Sequence, residues 1–194
     1  MNALNQSTGT VPSEAAGTAK SLRKLYFARV AFSVIWITLI VTVGKTNNTL
    51  EEILFVLYPI WDVIATFVDI NANPPASNKI PQYVNVAIGT LTTIAVIIAL
   101  QSGIPTALVV FGVWASLTGL IQFIIGLRRR KMFEGQWPMI LSGAQSLIAG
   151  GFIILRAHMP NYGIASLAGY SAFGAFYFAL AAIRLGKTIK STNV

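Results

Sequence analysis

Long apolar stretches separated by short polar segments dominate the chain from about residue 25 to about residue 185. Each stretch holds roughly twenty residues, which is the length of helix that crosses the hydrocarbon core of a bilayer. The polar segments carry the proline, glycine and asparagine typical of helix ends, so consecutive helices are expected to be antiparallel neighbours. The predicted fold class is therefore all-α, with six transmembrane helices at about residues 25–43, 54–70, 82–101, 106–127, 137–155 and 162–185.

These helices are predicted to form one membrane domain over residues 23–187, because the 194 residues leave no room for a separate soluble domain. Residues 1–22 are mostly small and polar and are predicted to be a flexible tail. Residues 188–194 are predicted to be a short C-terminal tail. The first apolar run follows a long polar lead and has full spanning length, so we expect it to remain as a helix and not to be a cleaved signal peptide.

A short aromatic motif occurs three times, in the second, fourth and sixth predicted helices. It consists of two aromatic residues three positions apart, followed by one more residue, and its copies are separated by roughly the length of a helical hairpin. Three two-helix repeats, related by an axis along the membrane normal, are therefore predicted. Two copies end in a small residue and one in a carboxylate: Tyr58, Trp61 and Asp62; Phe111, Trp114 and Ala115; Tyr170, Phe173 and Gly174.

Composition supports a membrane location and sets the orientation. Hydrophobic residues make up 55% of the chain and charged residues only 10%, with a mean hydropathy of +0.67. The formal net charge of +8 does not indicate nucleic-acid binding, because the basic residues flank the apolar stretches. Placing both termini in the cytoplasm leaves only Lys45 and Arg156 of the 14 basic residues outside, as the positive-inside rule favours.

Small residues recur at helical spacing in the fourth and fifth predicted helices. Such residues let helix backbones approach closely where lipid provides no hydrophobic driving force for association. The pattern predicts a helix-packing seam between these two helices, and a substrate path lined by glycine is the alternative. The glycines concerned are Gly112, Gly119, Gly126, Gly143 and Gly150.

Asp62 lies near the middle of the second predicted helix and is the candidate proton or ion site. A charged carboxylate at that depth costs several kcal/mol, so an ionisable residue there is a functional hypothesis by default. One interpretation is a protonated or hydrogen-bonded carboxyl that joins neighbouring helices. The other is a group that handles a proton or a cation.

Two further sets of charges are expected to act at the inner membrane surface. Arg29 and Asp69 are predicted to form a structural ion pair there, because both fall near the inner ends of their predicted helices. The run Arg128, Arg129, Arg130 and Lys131 follows the fourth helix directly and is predicted to contact lipid head groups.

Two segments resemble a known bacterial family. Residues 111–119, beginning Phe111, Gly112 and containing Trp114, and residues 137–151, beginning Trp137 and containing Gly143, are similar to the HdeD-like acid-resistance membrane proteins. That resemblance implies a six-helix protein of the bacterial inner membrane, linked in some members to survival of acid stress. It supplies no catalytic or ligand-binding residues.

The leading functional expectation is a non-enzymatic membrane protein with a structural or accessory role in envelope or acid stress. The alternative is a small proton-coupled transporter or channel that uses Asp62. With one histidine and no cysteine, we expect no metal site, no cofactor and no catalytic residues. Membrane lipids are the expected partners, a second copy or another membrane protein is kept open, and nucleic acid is not expected.

Overall fold

The computed structural model describes residues 10–42, 44, 46–131 and 136–192. Over these residues the chain forms six α-helices and one short 3₁₀-helix, Ile164–Leu167, and no strand. The α-helices are α1 (Thr10–Thr42), α2 (Asn48–Ala72), α3 (Ile80–Leu100), α4 (Ile104–Arg129), α5 (Trp137–Arg156) and α6 (Ala168–Thr192).

All six helices are long and apolar enough to cross a membrane, so the predicted count of spans is confirmed. Each helix packs against the next one along the chain, and α1 also packs against α6, so the helices close into a ring. The most extensive interfaces join α4 to α5 and α1 to α6.

Helices extend into both predicted tails, and the prediction of a flexible N-terminal tail is wrong over residues 10–22. Helix α1 begins at Thr10, and Ala19 and Leu22 are buried in an apolar cluster with residues of α6. Helix α6 continues to Thr192. The polar composition concealed the N-terminal extension because a helix end supported by a neighbouring helix needs only a few apolar contacts. Residues 1–9, 193 and 194 lie outside the described part.

The first aromatic residues of the three motif copies meet inside the ring. The ring centroids of Tyr58 and Phe111 are 5.7 Å apart, those of Phe111 and Tyr170 6.0 Å, and those of Tyr58 and Tyr170 6.4 Å. Trp114 packs edge-on against both Tyr58 and Phe111. We call Tyr58, Phe111, Trp114 and Tyr170 the aromatic layer. Contact between equivalent positions agrees with repeats about a common axis, and that arrangement stays a prediction.

The predicted glycines lie at the closest approach of α4 to α5. A Cβ atom added to Gly119 would lie 2.6 Å from the backbone nitrogen of Leu147 and 2.8 Å from the carbonyl oxygen of Gly143. Ser146 donates a hydrogen bond of 3.1 Å to the carbonyl oxygen of Ala115 across the same interface. The backbones of the two helices are therefore in van der Waals contact, which larger side chains would prevent.

Gly150→Ala is expected to destabilise the protein by about 1–3 kcal/mol, because the added methyl group overpacks the α4–α5 interface. A Cβ atom at this position would lie 2.6 Å from the backbone nitrogen of Ser116. The adjacent Gly151 is the matched control, because a Cβ atom there meets nothing within 4 Å. Gly151→Ala should be neutral or stabilising, since alanine favours helix by about 1 kcal/mol. Equal melting temperatures for the two purified variants in detergent would contradict close packing at Gly150.

Candidate functional site

A cavity of about 120 Å³ lies at the centre of the ring, and all six helices contribute to its lining. It lies on one side of the aromatic layer. Along α2, the buried apolar residues Leu54 and Phe55 come before Tyr58, and the polar residues that line the cavity come after it. The half of the bundle on the Leu54 side of the aromatic layer is thus a packed apolar core, and the half on the Asp62 side contains a polar cavity.

Asp62 faces this cavity and is held by side chains from two other helices. Its Oδ1 atom accepts a hydrogen bond of 2.7 Å from Nη1 of Arg29 on α1, and its Oδ2 atom accepts one of 2.8 Å from the amide of Asn85 on α3. The same amide donates to Oγ1 of Thr66 at 3.0 Å, and the Thr66 hydroxyl donates to the backbone carbonyl of Asp62 at 2.7 Å. Both carboxylate oxygens therefore have partners suited to the ionised form.

The depth of this ion pair is unusual for charged residues. Asp62 lies about 21 Å along α2 from Asn48 and about 15 Å from Ala72, close to the middle of the span. Charges at such a depth are expensive, are nearly always paired, and commonly mark solute or proton pathways. The Arg29 and Asp62 side chains each keep 15% of their surface exposed, so the pair is accessible from the cavity.

A second ion pair joins α2 to α4 near the other end of the cavity. Nη2 of Arg129 donates hydrogen bonds of 2.6 and 2.8 Å to the two carboxylate oxygens of Asp69, and Nη1 donates one of 3.1 Å to the hydroxyl of Tyr26 on α1. The exposed fractions of the Arg129 and Asp69 side chains are only 8% and 10%. This pair is therefore more enclosed than the pair of Arg29 and Asp62, and it ties three helices together.

The predicted pair of Arg29 with Asp69 is wrong. Asp69 lies two turns beyond Asp62, about 10 Å along the helix axis, and it pairs with Arg129. The error arose from the predicted start of the first helix at residue 25, which placed Arg29 near the membrane surface. The span begins by Ala16, so Arg29 lies near its middle, level with Asp62.

The predicted lipid contact of Arg129 is also wrong. Arg128, Arg130 and Lys131 are exposed, whereas Arg129 is buried against Asp69 and Tyr26. Successive residues of a helix point about 100° apart, so a run of basic residues at a helix end sends some side chains outward and one inward. The run alone does not show which residue finds an acidic partner.

Two residues of the cavity lining each carry a buried polar atom that finds no hydrogen-bond partner among the described residues. These atoms are the indole Nε1 of Trp114, whose side chain belongs to the aromatic layer, and the amide Oε1 of Gln82 on α3. The two residues are only 2% and 5% exposed, respectively. Leaving a buried donor or acceptor unpaired costs about 1–3 kcal/mol.

Sequence reasoning missed Gln82, Asn85 and the inward direction of Arg129. A signal for the first two was present, because they lie one helical turn apart in an otherwise apolar span, where polar side chains normally face the protein interior. No such signal distinguished Arg129 from its basic neighbours.

The site offers two ion pairs and several hydroxyl and amide groups. Within the described residues, no group of three or more His, Asp or Glu side chains could hold a metal ion. Searches against protein-family models, curated proteins and solved structures found no match for the chain. The resemblance to HdeD-like proteins stays a prediction.

Proposed function

We propose that this multi-pass membrane protein is a small proton-coupled carrier, which binds a small polar solute in its central cavity and uses Asp62 as the proton-binding group. The observation that carries the proposal is the ion pair of Arg29 and Asp62, which lies near mid-span and faces a polar cavity. Coupling residues of secondary transporters occupy this depth, because a group there can exchange its proton with either side as the protein changes conformation.

The difference in exposure between the two ion pairs supports separate roles. Arg29 and Asp62 are accessible from the cavity, so a solute or proton that enters it can compete with their interaction. Arg129 and Asp69 are more enclosed and are also held by Tyr26, which suits a pair that fixes the positions of the helices. A purely structural role for Asp62 would need no cavity beside it.

Packing around the cavity supports an occluded arrangement. The aromatic layer and an apolar cluster that includes Phe55 and Leu108 separate the cavity from one end of the bundle. At the other end lie the pair of Arg129 and Asp69 and a second apolar cluster that includes Leu22 and Leu185. Transport requires each of these layers to open in turn, which makes them the gates of the proposed carrier.

The end of the bundle near Arg129 is proposed to face the cytoplasm of a bacterial cell, with both termini on that side. The support is the positive-inside rule, together with the exposed side chains of Arg128, Arg130 and Lys131. The assignment to the inner membrane rests on the resemblance to HdeD-like proteins. We propose no enzymatic activity.

The accessory role in acid or envelope stress that the resemblance implies is a second proposal. The closely packed seam between α4 and α5 supports a rigid structural element, but it does not account for the polar cavity. Unchanged survival of a deletion strain under acid and envelope stress would remove this role.

Uptake into proteoliposomes tests the carrier directly. We expect an imposed pH gradient to drive accumulation of at least one solute from a panel of small amides, polyols, amines and carboxylates, each with about six heavy atoms or fewer. A cavity of about 150 Å³ holds the six heavy atoms of benzene, so a cavity of about 120 Å³ limits the solute to about that number of heavy atoms. Protein-free vesicles and vesicles treated with a protonophore are the controls. If no solute in the panel accumulates above these controls, the carrier proposal is wrong.

A further inference from the structure

We propose that the cavity takes a small monocarboxylate anion, which binds the Arg29 guanidinium after a proton has neutralised Asp62. This inference rests on the proposed carrier function and names its substrate class. It follows from the charges that line the cavity and from the contacts of Arg29.

The charge balance of the cavity favours one proton together with one monoanion. Among the described residues that line it, the charged side chains are two arginines and two aspartates, so their formal charges sum to zero. An ion that enters alone leaves an uncompensated charge in a low-dielectric site, which is strongly unfavourable. A proton on Asp62 leaves one positive charge in excess, and one monocarboxylate restores neutrality.

Arg29 is the cavity cation that becomes available by this exchange. One of its terminal nitrogens donates to Asp62, and its guanidinium lies 5.1 Å from the ring centroid of Phe178. A guanidinium has five N–H donors and binds a carboxylate with two parallel hydrogen bonds. Asp62 is thus an internal competitor for the carboxylate site on Arg29, and protonation of Asp62 removes the competitor's charge.

The contacts of the groups in the cavity indicate that Asp62 is the group that exchanges the proton. Arg29 on α1 is its charged partner and Asn85 on α3 is its neutral partner. The phenols of Tyr58 on α2 and Tyr170 on α6 line the same cavity and also interact electrostatically with Asp62. The other carboxylate of the cavity, Asp69, is held two turns away by both of its oxygens on Arg129.

The cavity size and the polar side chains of its lining favour a short 2-hydroxy acid. Its carboxylate pairs with Arg29, and its hydroxyl lies among the hydroxyl and amide side chains that line the cavity, which include Gln122 and Ser146. The cavity of about 120 Å³ is smaller than the roughly 150 Å³ that holds the six heavy atoms of benzene, which limits the anion to two or three carbons. Glycolate and lactate are the matching probes.

Binding and proton uptake are measured by calorimetry on the purified full chain with glycolate. Because one proton enters with each anion, the dissociation constant should weaken toward alkaline pH by up to about tenfold per pH unit, with about one proton taken up per anion. Asp62→Asn should bind glycolate equally well in acidic and alkaline buffer, with no proton uptake. The double variant R29Q/D62N, which removes both charges together, should not bind. Glu52→Gln, at an exposed position far from the cavity, should behave as the wild type.

The outcomes separate this inference from the carrier proposal. Glycolate binding that is independent of pH in the wild type, or that persists in R29Q/D62N, overturns the monocarboxylate site. Neutral solutes that bind while carboxylates do not overturn the substrate class and leave a carrier in place. Should a variant unfold on purification, the wild type still decides, because the proton count and pH dependence are measured on it alone.

Discussion

Replacement of Arg129 by glutamine is expected to lower the free energy of unfolding by about 3–5 kcal/mol, the usual effect of removing one member of a buried ion pair. The change leaves the Asp69 carboxylate buried without its cation and removes the hydrogen bond that Arg129 donates to Tyr26. Three helices lose their common contact. Thermal unfolding of the purified protein in detergent would show the loss as a lower melting temperature and a smaller monodisperse fraction.

The adjacent Arg130 provides the control for this prediction, since it is exposed at the same helix end. Arg130→Gln should change stability by less than about 0.5 kcal/mol, as surface substitutions usually do. Combining Arg129→Gln with Asp69→Asn should recover much of the loss, because no charge is then left unpaired. Similar melting temperatures for the Arg129 and Arg130 variants would show that the pair of Arg129 and Asp69 does not stabilise the bundle.

Asp62→Asn is expected to abolish solute accumulation driven by a pH gradient. Asparagine keeps the shape of the side chain and the contact with Asn85, but it cannot gain or lose a proton. The solute can still bind, and the gradient no longer drives it. Accumulation of the active solute above its external concentration should therefore be absent, as in protein-free vesicles, whereas Glu52→Gln should accumulate it as the wild type does.

The stability of the same variant separates transport from a structural role for Asp62. Without its aspartate, Arg29 is a buried cation with no carboxylate, so the variant should be less stable than the wild type. An added carboxylate anion that replaces Asp62 should restore its melting temperature, since a ligand that binds only the folded state stabilises it. If the Asp62→Asn variant is less stable but still accumulates solute in response to the pH gradient, the role of Asp62 is structural and it does not couple the proton to transport.

The sequence predicted the number of membrane-spanning helices well, because each span depends on a local property, the length of an apolar run. Asp62 was identified for the same reason, since one carboxylate in the middle of such a run is visible without knowledge of the fold. The glycines of α4 and α5 were also visible, because their spacing repeats within each helix.

The partners of the charged residues could not be predicted in this way. Arg29 and Asp62 are 33 residues apart, and Arg129 and Asp69 are 60 residues apart. Each pairing depends on the depth and rotation of two different helices. The first helix was predicted to begin at residue 25, whereas the span begins by Ala16. This error of about two and a half turns changes the depth of Arg29 by about 13 Å, which is enough to favour the wrong aspartate.

The structure shows what the positions of the aromatic motif do, which the sequence alone did not show. Its first positions form the layer that bounds the cavity, and its third position in α2 supplies Asp62, which faces that cavity. The third position in α6, Gly174, also lines the cavity and has open space beside it. A small residue there leaves room for a solute near the carboxylate.

Proton movement that accompanies solute entry tests the coupling by Asp62 most directly. A pH-sensitive dye trapped inside proteoliposomes reports acidification when the active solute is added outside without a starting pH gradient. We expect wild-type vesicles to acidify faster than protein-free vesicles, in proportion to the solute that enters, and Asp62→Asn vesicles to match the protein-free rate. Solute entry through the wild-type protein with no acidification above the protein-free rate would contradict proton coupling through Asp62.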